Sequence, residues 1–523
     1  MRRLLATVLF LLSLALFGLA LVPFARLHAF LSARAGHSVT AGYVERVHLR
    51  AIVCGAVALL LGCGVLVIRT PPAPAATTDW SIGPAAAAII AIGAVGRTIL
   101  LRGPPHYDEV FTVTEFASHS PAFFLTRYTH ANNHVFHTLL VWIMRTIVGQ
   151  RLWAIRIPAL IAGIAVLYAV YLLARRLSGE NAALVAVALA AGATPLVEYS
   201  AQARGYTLMT LAFLLLYLID DDRLRAVLIA LGAWTVPTML YAAAAWALWA
   251  LATERNRRRV AFVTLSAGAI TFLLYLPIIV VSGTGSITSN GNTLSVPYAV
   301  LFRELPRTFA GMASDWSLSF TPGIAIFLAI AAAIAMIRRE PGGSPLAFAI
   351  AAIVPLLLVM RKVPYARVWL FVLPVAIIAA SATIASLVRR VLRTIPVVLA
   401  VILVANAVRL TARDTFVEDP AMYDVAAVSE VIRALPSDAR VLVTTPLDAP
   451  YAFYLPPERI IQYRFDSDPT AVRTDVLAAP RRFFAASDGP AGMSMYASLH
   501  LPLQPVPVRR FSHTTLFELR SPL

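Results

Sequence analysis

The sequence predicts an all-α polytopic membrane bundle of about 13 transmembrane helices plus an interfacial helix, ending in a small C-terminal α/β domain outside the cytoplasm. Three observations carry this. Of the 523 residues, 59% are hydrophobic and 14% are charged, whereas soluble domains carry about 25% charged residues. Apolar stretches able to cross ~30 Å of hydrocarbon fall near 4–22, 51–68, 82–101, 156–173, 181–199, 205–219, 260–281, 321–337, 346–360, 368–388 and 395–411. After about Asp414 the apolar runs stop and shorter helical and strand-like patterns replace them.

The opening MRR and the apolar run from Leu4 to Val22 resemble a signal peptide. No small-residue cleavage site follows, so a retained first helix is expected. The two cysteines, Cys54 and Cys63, share one apolar run and imply neither a disulfide framework nor a zinc site. Residues 224–252 are too long for one span and read as two short helices meeting at Pro237. A net charge of +17 first suggests nucleic acid. The arginines instead cluster between spans, at Arg175-Arg176, Arg223 with Arg225, Arg255 with Arg257 to Arg259, Arg338-Arg339, and Arg389-Arg390 with Arg393. Placing these clusters in the cytoplasm follows the positive-inside trend. The N-terminus is then cytoplasmic, and the loops 102–155, 200–204, 282–320 and 361–367 lie outside, as does everything after about 412. Residues 23–50, with Arg26, Arg34, Arg46 and Arg50, run against this assignment.

In the segment 134–148, His134, His137, Thr138 and Arg145 share one stripe at helical spacing. Its length of about 22 Å is short for a span, so an amphipathic helix in the outer interface is expected, with Arg156 at the external mouth. Residues 1–411 then form the membrane domain and 412–523 the C-terminal domain. In the latter, PAMYDVAAVSEVIRAL repeats apolar residues with a helical period at Met422, Val425, Val428, Val431 and Ile432, and ARVLVTT, RRFFAAS and TTLFELR read as strands.

Candidate chemistry collects in the external loops. RGPPHYDEV places Asp108 and Glu109 just beyond a span. RYTHANNHVFHTLL supplies Asn132, Asn133, His134 and His137, which suit sugar hydroxyls or a divalent ion; helix capping by the asparagines is the plain alternative. PLVEYSAQARGYTLMTL brings Glu198, Gln202 and Arg204 to the membrane surface, where polar groups mark a cavity or pathway. MRKVPYARVWLFVLP carries Arg361, Lys362, Tyr365 and Arg367. Arginines there can hold a phosphate bidentately or anchor lipid headgroups.

The acidic pair, RIPALIAGIAVLYAVYLLARRLSG, EYSAQARGYTLMTL and PYARVWLFVLP, in that order over residues 82–411, resemble the GT-C superfamily of membrane glycosyltransferases. The likeness is greatest to the branch of protein mannosyltransferases and aminoarabinose transferases. It implies transfer of a sugar from a polyprenyl-phosphate-linked donor to a lipid, glycan or protein acceptor outside the cytoplasm. It also implies Asp108 as the catalytic acid with Glu109 beside it, and Arg156 and Arg204 as polar positions near the site. A divalent metal at His134 and Glu109 is an additional candidate. Asn132-Asn133-His134 stands where relatives often have a Pro-rich or lysine-containing turn, and Gln-Ala-Arg-Gly stands at a second acidic position. Both departures bear on donor and metal. Two rivals share the hydropathy: a transporter or lipid flippase without bond chemistry, and a polysaccharide polymerase or ligase. Transporters show paired repeats, and the DEV loop and the QARGY turn each occur once.

Overall fold

The computed structural model describes residues 24–35, 78–253, 257–288, 295–362, 365–387, 394–412, 419–488 and 490–522, with three isolated positions before residue 50. Apart from Leu12, the apolar stretches 4–22 and 51–68, both cysteines, Arg255, Arg389-Arg390 and Arg393 lie outside the described residues.

Helix α1 (Pro84–Ile99) starts on a proline, where the missing N–H costs nothing. A polar loop follows, carrying α2 (Tyr107–Thr112), a π-helical turn at Val113–Ala117, and α3 (Val135–Val148). Next come α4 (Ile157–Ser178), α5 (Glu180–Ala191) and α6 (Thr194–Ser200). The stretch 181–199, expected as one span, is broken here: α5 and α6 meet at 62°. Pro195 cannot donate to the helix ladder, and Gly192 lets the chain approach its neighbour, since a Cβ there would lie 2.6 Å from the Leu403 carbonyl carbon. The break frees the last carbonyls of α5. Arg97, fully buried on α1, takes them up: it donates to the carbonyls of Ala191 (3.0 Å), Ala190 (3.3 Å) and Gly93 (3.0 Å) and to Ser200 Oγ (3.2 Å). A Cβ on Gly163 of α4 would meet Ser200 Oγ at 2.0 Å, so α4 and α6 also touch through a glycine.

Helix α7 (Tyr206–Leu218) leads to the pair Asp222–Thr235 and Met239–Thr253, which separate around Pro237 as expected. The expected external loop 282–320 contains a 20-residue helix, α8 (Tyr298–Ser317), lying at 111° to α9 (Pro322–Ile337). Helices Ser344–Met360, Val372–Leu387 and α10 (Thr394–Ala412) complete the bundle. Among the described residues five helices are long and apolar enough to cross a membrane, or seven if each bent pair is one span. The remainder of the thirteen rests on the shorter helices Tyr206–Leu218, Asp222–Thr235, Met239–Thr253 and Val372–Leu387 and on the two N-terminal stretches.

The C-terminal domain begins with helix Val425–Ala434 and holds one sheet. Its strands are β1 (Ala439–Thr444), β2 (Ile460–Tyr463), β3 (Arg481–Ser487), β4 (Gln504–Arg510) and β5 (Thr514–Arg520), in the order β2-β1-β3-β5-β4. β2, β1 and β3 are parallel, and β5 is antiparallel to both its neighbours. Burial on both faces explains the continuous apolar run of β1. Val441 and Val443 face helix Val425–Ala434 and helix α11 (Asp448–Tyr454), while Leu442 faces helices Pro469–Ala478 and Pro490–Ser498. Helix α11 turns toward the bundle: Ala449 and Phe453 share a cluster with Val110, Val113, Val141 and Ile155.

Candidate active site

The loop after α1 is built around two buried charges. Glu109 lies in the first turn of α2 and reaches back to accept the His106 N–H at 2.9 Å, closing the start of the helix. Its other oxygen accepts the Ala203 N–H at 2.8 Å and Arg156 Nε at 3.0 Å, and Arg156 Nη2 bonds the first oxygen. The four lone-pair positions of the carboxylate are filled. Arg156 is equally occupied, donating also to the carbonyls of Leu101 (3.1 Å), Gly103 (3.0 Å) and Pro104 (2.6 Å). That accounts for all five guanidinium hydrogens. Burial raises the Glu109 carboxyl, but Arg156, the nearby His106 charge and the Ala203 N–H outweigh it and hold it below the usual glutamate value. Two sequence-based expectations change here. Arg156 is buried rather than at an open mouth, and Glu109 and Arg156 hold the loop together with nothing left for a substrate.

Asp108, one residue earlier, faces another way and keeps 23% of its side chain exposed. Asn132 Nδ2 donates to its Oδ1 at 2.8 Å; Arg367 Nη2 lies 3.1 Å and Arg204 Nη2 3.5 Å from Oδ2. Arg204 is set by α2 itself, donating to the Asp108 carbonyl (3.2 Å) and Thr112 Oγ1 (3.3 Å), and to Asn132 Oδ1 (3.2 Å). Arg367 stacks on Tyr365, which is exposed at the rim. Burial raises the Asp108 carboxyl, yet Arg204, Arg367 and Asn132 together bring it below the usual aspartate value. The Nε of Arg204 and of Arg367 have no hydrogen-bond partner among the described residues. The arrangement is a partly exposed carboxylate between two arginines, each with a buried, unpaired Nε.

The remaining expected residues separate from this centre. Gln202 Nε2 donates to Glu198 Oε1 at 2.7 Å, and both line a cavity of about 210 Å³ with His106, Arg156, Arg102 and Tyr423. Asn133 donates to the carbonyls of Phe124 (2.9 Å) and Arg127 (3.0 Å), and so braces the loop. His134 Nδ1 accepts the Gly205 N–H at 3.0 Å, tying the start of α3 to the QARGY turn. Arg361 ends helix Ser344–Met360 in a left-handed conformation (φ 50°) and lies over Tyr298, away from Asp108. The four acceptor positions of Glu109 are filled, and His134 Nδ1 accepts a backbone N–H. Among the described residues no group of three His, Cys, Asp or Glu side chains could hold an ion. Sequence reasoning missed Thr112, which positions Arg204, and His130, whose ring packs on Phe111 at 5.0 Å. His130 stood in the quoted RYTHANNH stretch, but an isolated histidine gave no further signal.

Residues 133–281 match the family of dolichyl-phosphate-mannose-protein mannosyltransferases. No curated protein matches the chain in sequence. Among solved structures, ArnT from Cupriavidus metallidurans in the apo state is similar at TM-score 0.57 and 13% identity, covering 82% of this chain and 97% of that one. The same protein bound to undecaprenyl phosphate aligns at TM-score 0.43 and 12% identity over the same shares. Oligosaccharyltransferase AglB from Archaeoglobus fulgidus, in complex with an inhibitory peptide and a dolichol-phosphate, aligns at 0.45 and 11% identity, covering 80% and 69%. The chain shares its fold with ArnT.

Proposed function

We propose that this protein is a membrane glycosyltransferase that moves a hexose or pentose from a polyprenyl-phosphate-linked donor to a hydroxyl of a lipid, glycan or protein acceptor, with inversion, on the outer face of a cell membrane. The observation that carries the reading is the solvent-reaching Asp108 carboxylate between Arg204 and Arg367. The acceptor hydroxyl is a poor nucleophile at neutral pH, so a carboxylate that takes its proton assists attack. The acceptor oxygen then bonds to the anomeric carbon as the bond from that carbon to the phosphate oxygen breaks. The electron pair leaves on the polyprenyl phosphate, where the two arginines stabilise the added charge. Asn132, bonded to both Asp108 and Arg204, keeps base and cation in register.

The same contacts give donor binding a second effect. A phosphate that takes the arginines away from Asp108, and adds its own negative charge nearby, raises the carboxyl and makes it a stronger base. The test is incubation of the purified protein with a radiolabelled polyprenyl-phosphate monosaccharide and membrane extract. Label should enter a new product with the wild-type chain and not with Asp108→Asn, which keeps the shape and the Asn132 contact. Equal turnover by Asp108→Asn removes Asp108 from the reaction, and movement of label across vesicles without a product points to transport instead.

A further inference from the structure

Helix α2 and the π-helical turn that continues it touch the C-terminal domain through an apolar cluster with Ala449 and Phe453 and through one arginine. Arg464 follows β2, and its Nε lies 2.8 Å from Asp448 Oδ2 at the start of α11. Its Nη2 lies 2.7 Å from Glu115 Oε1, in the π-helical turn that continues α2. The guanidinium also sits over the Phe111 ring, with its carbon 5.7 Å from the centroid. Phe111 in turn packs on Tyr107 (5.7 Å) and His130 (5.0 Å), the side chains that flank Asp108 in α2 and in the facing loop. The Asp448 side chain is fully buried, whereas Glu115 is 37% exposed. The cation is therefore anchored firmly in one domain and reaches for a freer partner in the other.

We propose that Arg464 is a positioning residue for Asp108, so that the C-terminal domain is a working half of the active site. Asp448 fixes the guanidinium. Arg464 then holds the acid-bearing helix from two sides, by the pair to Glu115 and by its contact with the Phe111 face. A π-helical turn carries a wider, weaker hydrogen-bond pattern than an α-helix and collects at functional sites, and an external clamp sets its direction. Misplacing a reacting group by about 1 Å costs on the order of a hundredfold in rate. Slack at this clamp consequently shows in turnover before it shows in donor binding, which Arg204 and Arg367 provide.

The proposal rests on the glycosyltransferase reading for its kinetic test but not for its structural one. The first variant is Glu115→Gln, which leaves the Asp448–Arg464 pair and the C-terminal domain intact. It should lower kcat by about tenfold or more, leave KM for a polyprenyl-phosphate monosaccharide within about twofold, and leave the melting temperature of the full chain in detergent near wild type. Arg464→Lys should fall between wild type and Glu115→Gln, since an ammonium lacks the fork that spans two carboxylates. Deuterium uptake over residues 104–118 should rise in Glu115→Gln while the bundle helices are unchanged. Wild-type kcat together with unchanged uptake overturns the proposal, as does a change confined to KM. If the wild-type chain transfers no sugar, the glycosyltransferase reading fails, and uptake over 104–118 alone decides the clamp.

Discussion

Replacing Arg156 by methionine tests the reading of Glu109 as a holding residue rather than a reacting one. Methionine keeps much of the side-chain volume but removes five donated hydrogen bonds. Gly103 and Pro104 line the cavity, so their carbonyls can find water and the loss there is small. Glu109 cannot: it is fully buried, and without Arg156 only the His106 and Ala203 N–H groups face its charge. Removing one partner of a buried pair costs about 3–5 kcal/mol, which is roughly two to three and a half decades in an opening equilibrium. Restoring neutrality with Glu109→Gln in the Arg156→Met background should recover a good part of this, so that the double variant is more stable than Arg156→Met alone. The assay is unfolding of the detergent-solubilised full chain, followed for wild type, both single variants and the double variant. The Glu109 carboxyl is lowered in the folded chain, so the pair stabilises the fold above the ordinary glutamate value. That contribution is lost as pH falls through the lowered value, and Arg156→Met should bring acid unfolding on at higher pH. A loss of less than about 1 kcal/mol in Arg156→Met, or a double variant weaker than both singles, refutes the reasoning.

Further outcomes follow from the same contacts. Asp108 is held below the usual aspartate value, so the acidic limb of kcat/KM measured on the free enzyme should lie below that value; Arg367→Gln removes a cation and should move the limb to higher pH. Arg97→Met leaves the Ala190 and Ala191 carbonyls without a donor and should cost about 1–3 kcal/mol in thermal unfolding, with Arg97→Lys recovering only part. Asn132→Ala, which removes the link between Asp108 and Arg204, should lower kcat more than it raises donor KM in the radiolabel assay.

Much of the fold was legible because it rests on local patterns. β1, β3 and β5 sit where ARVLVTT, RRFFAAS and TTLFELR placed strands, and the break near Pro237 follows from a residue that cannot continue a helix. The bend between α5 and α6 was missed although Gly192 and Pro195 mark it, because the uniform apolarity of 181–199 outweighed two breakers. Helix α8 was missed because Pro306 lies in its interior, where a proline ordinarily ends a helix. At the site, loop position and polarity were enough to select Asp108, Asn132, Arg204 and Arg367. They could not separate these from Glu109, Arg156, Asn133 and His134 in the same loops. That division depends on how many donors and acceptors each group has left after folding. Arg464 gave no signal, since its partner Glu115 is more than three hundred residues away in sequence.

The glycines at 163 and 192 have a bearing on how this chain can vary over generations. Neither touches Asp108 or its arginines, yet each marks a place where two backbones or a backbone and a serine meet with no room for a methyl group. A Cβ at 192 would strike the main chain of α10, and one at 163 would strike Ser200 on the segment that leads into the Gln202 and Arg204 turn. The main chain met at 192 cannot yield as a flexible side chain can, the short Ser200 side chain met at 163 has little room to turn away, and overpacking of this kind costs about 1–3 kcal/mol. Lineages carrying this fold are therefore free to exchange most of the apolar surface of α4 and α5 for other apolar residues. They are confined to glycine at two positions that no inspection of the substrate pocket would single out. In a library of all single substitutions, these two columns should be as depleted as that of Asp108.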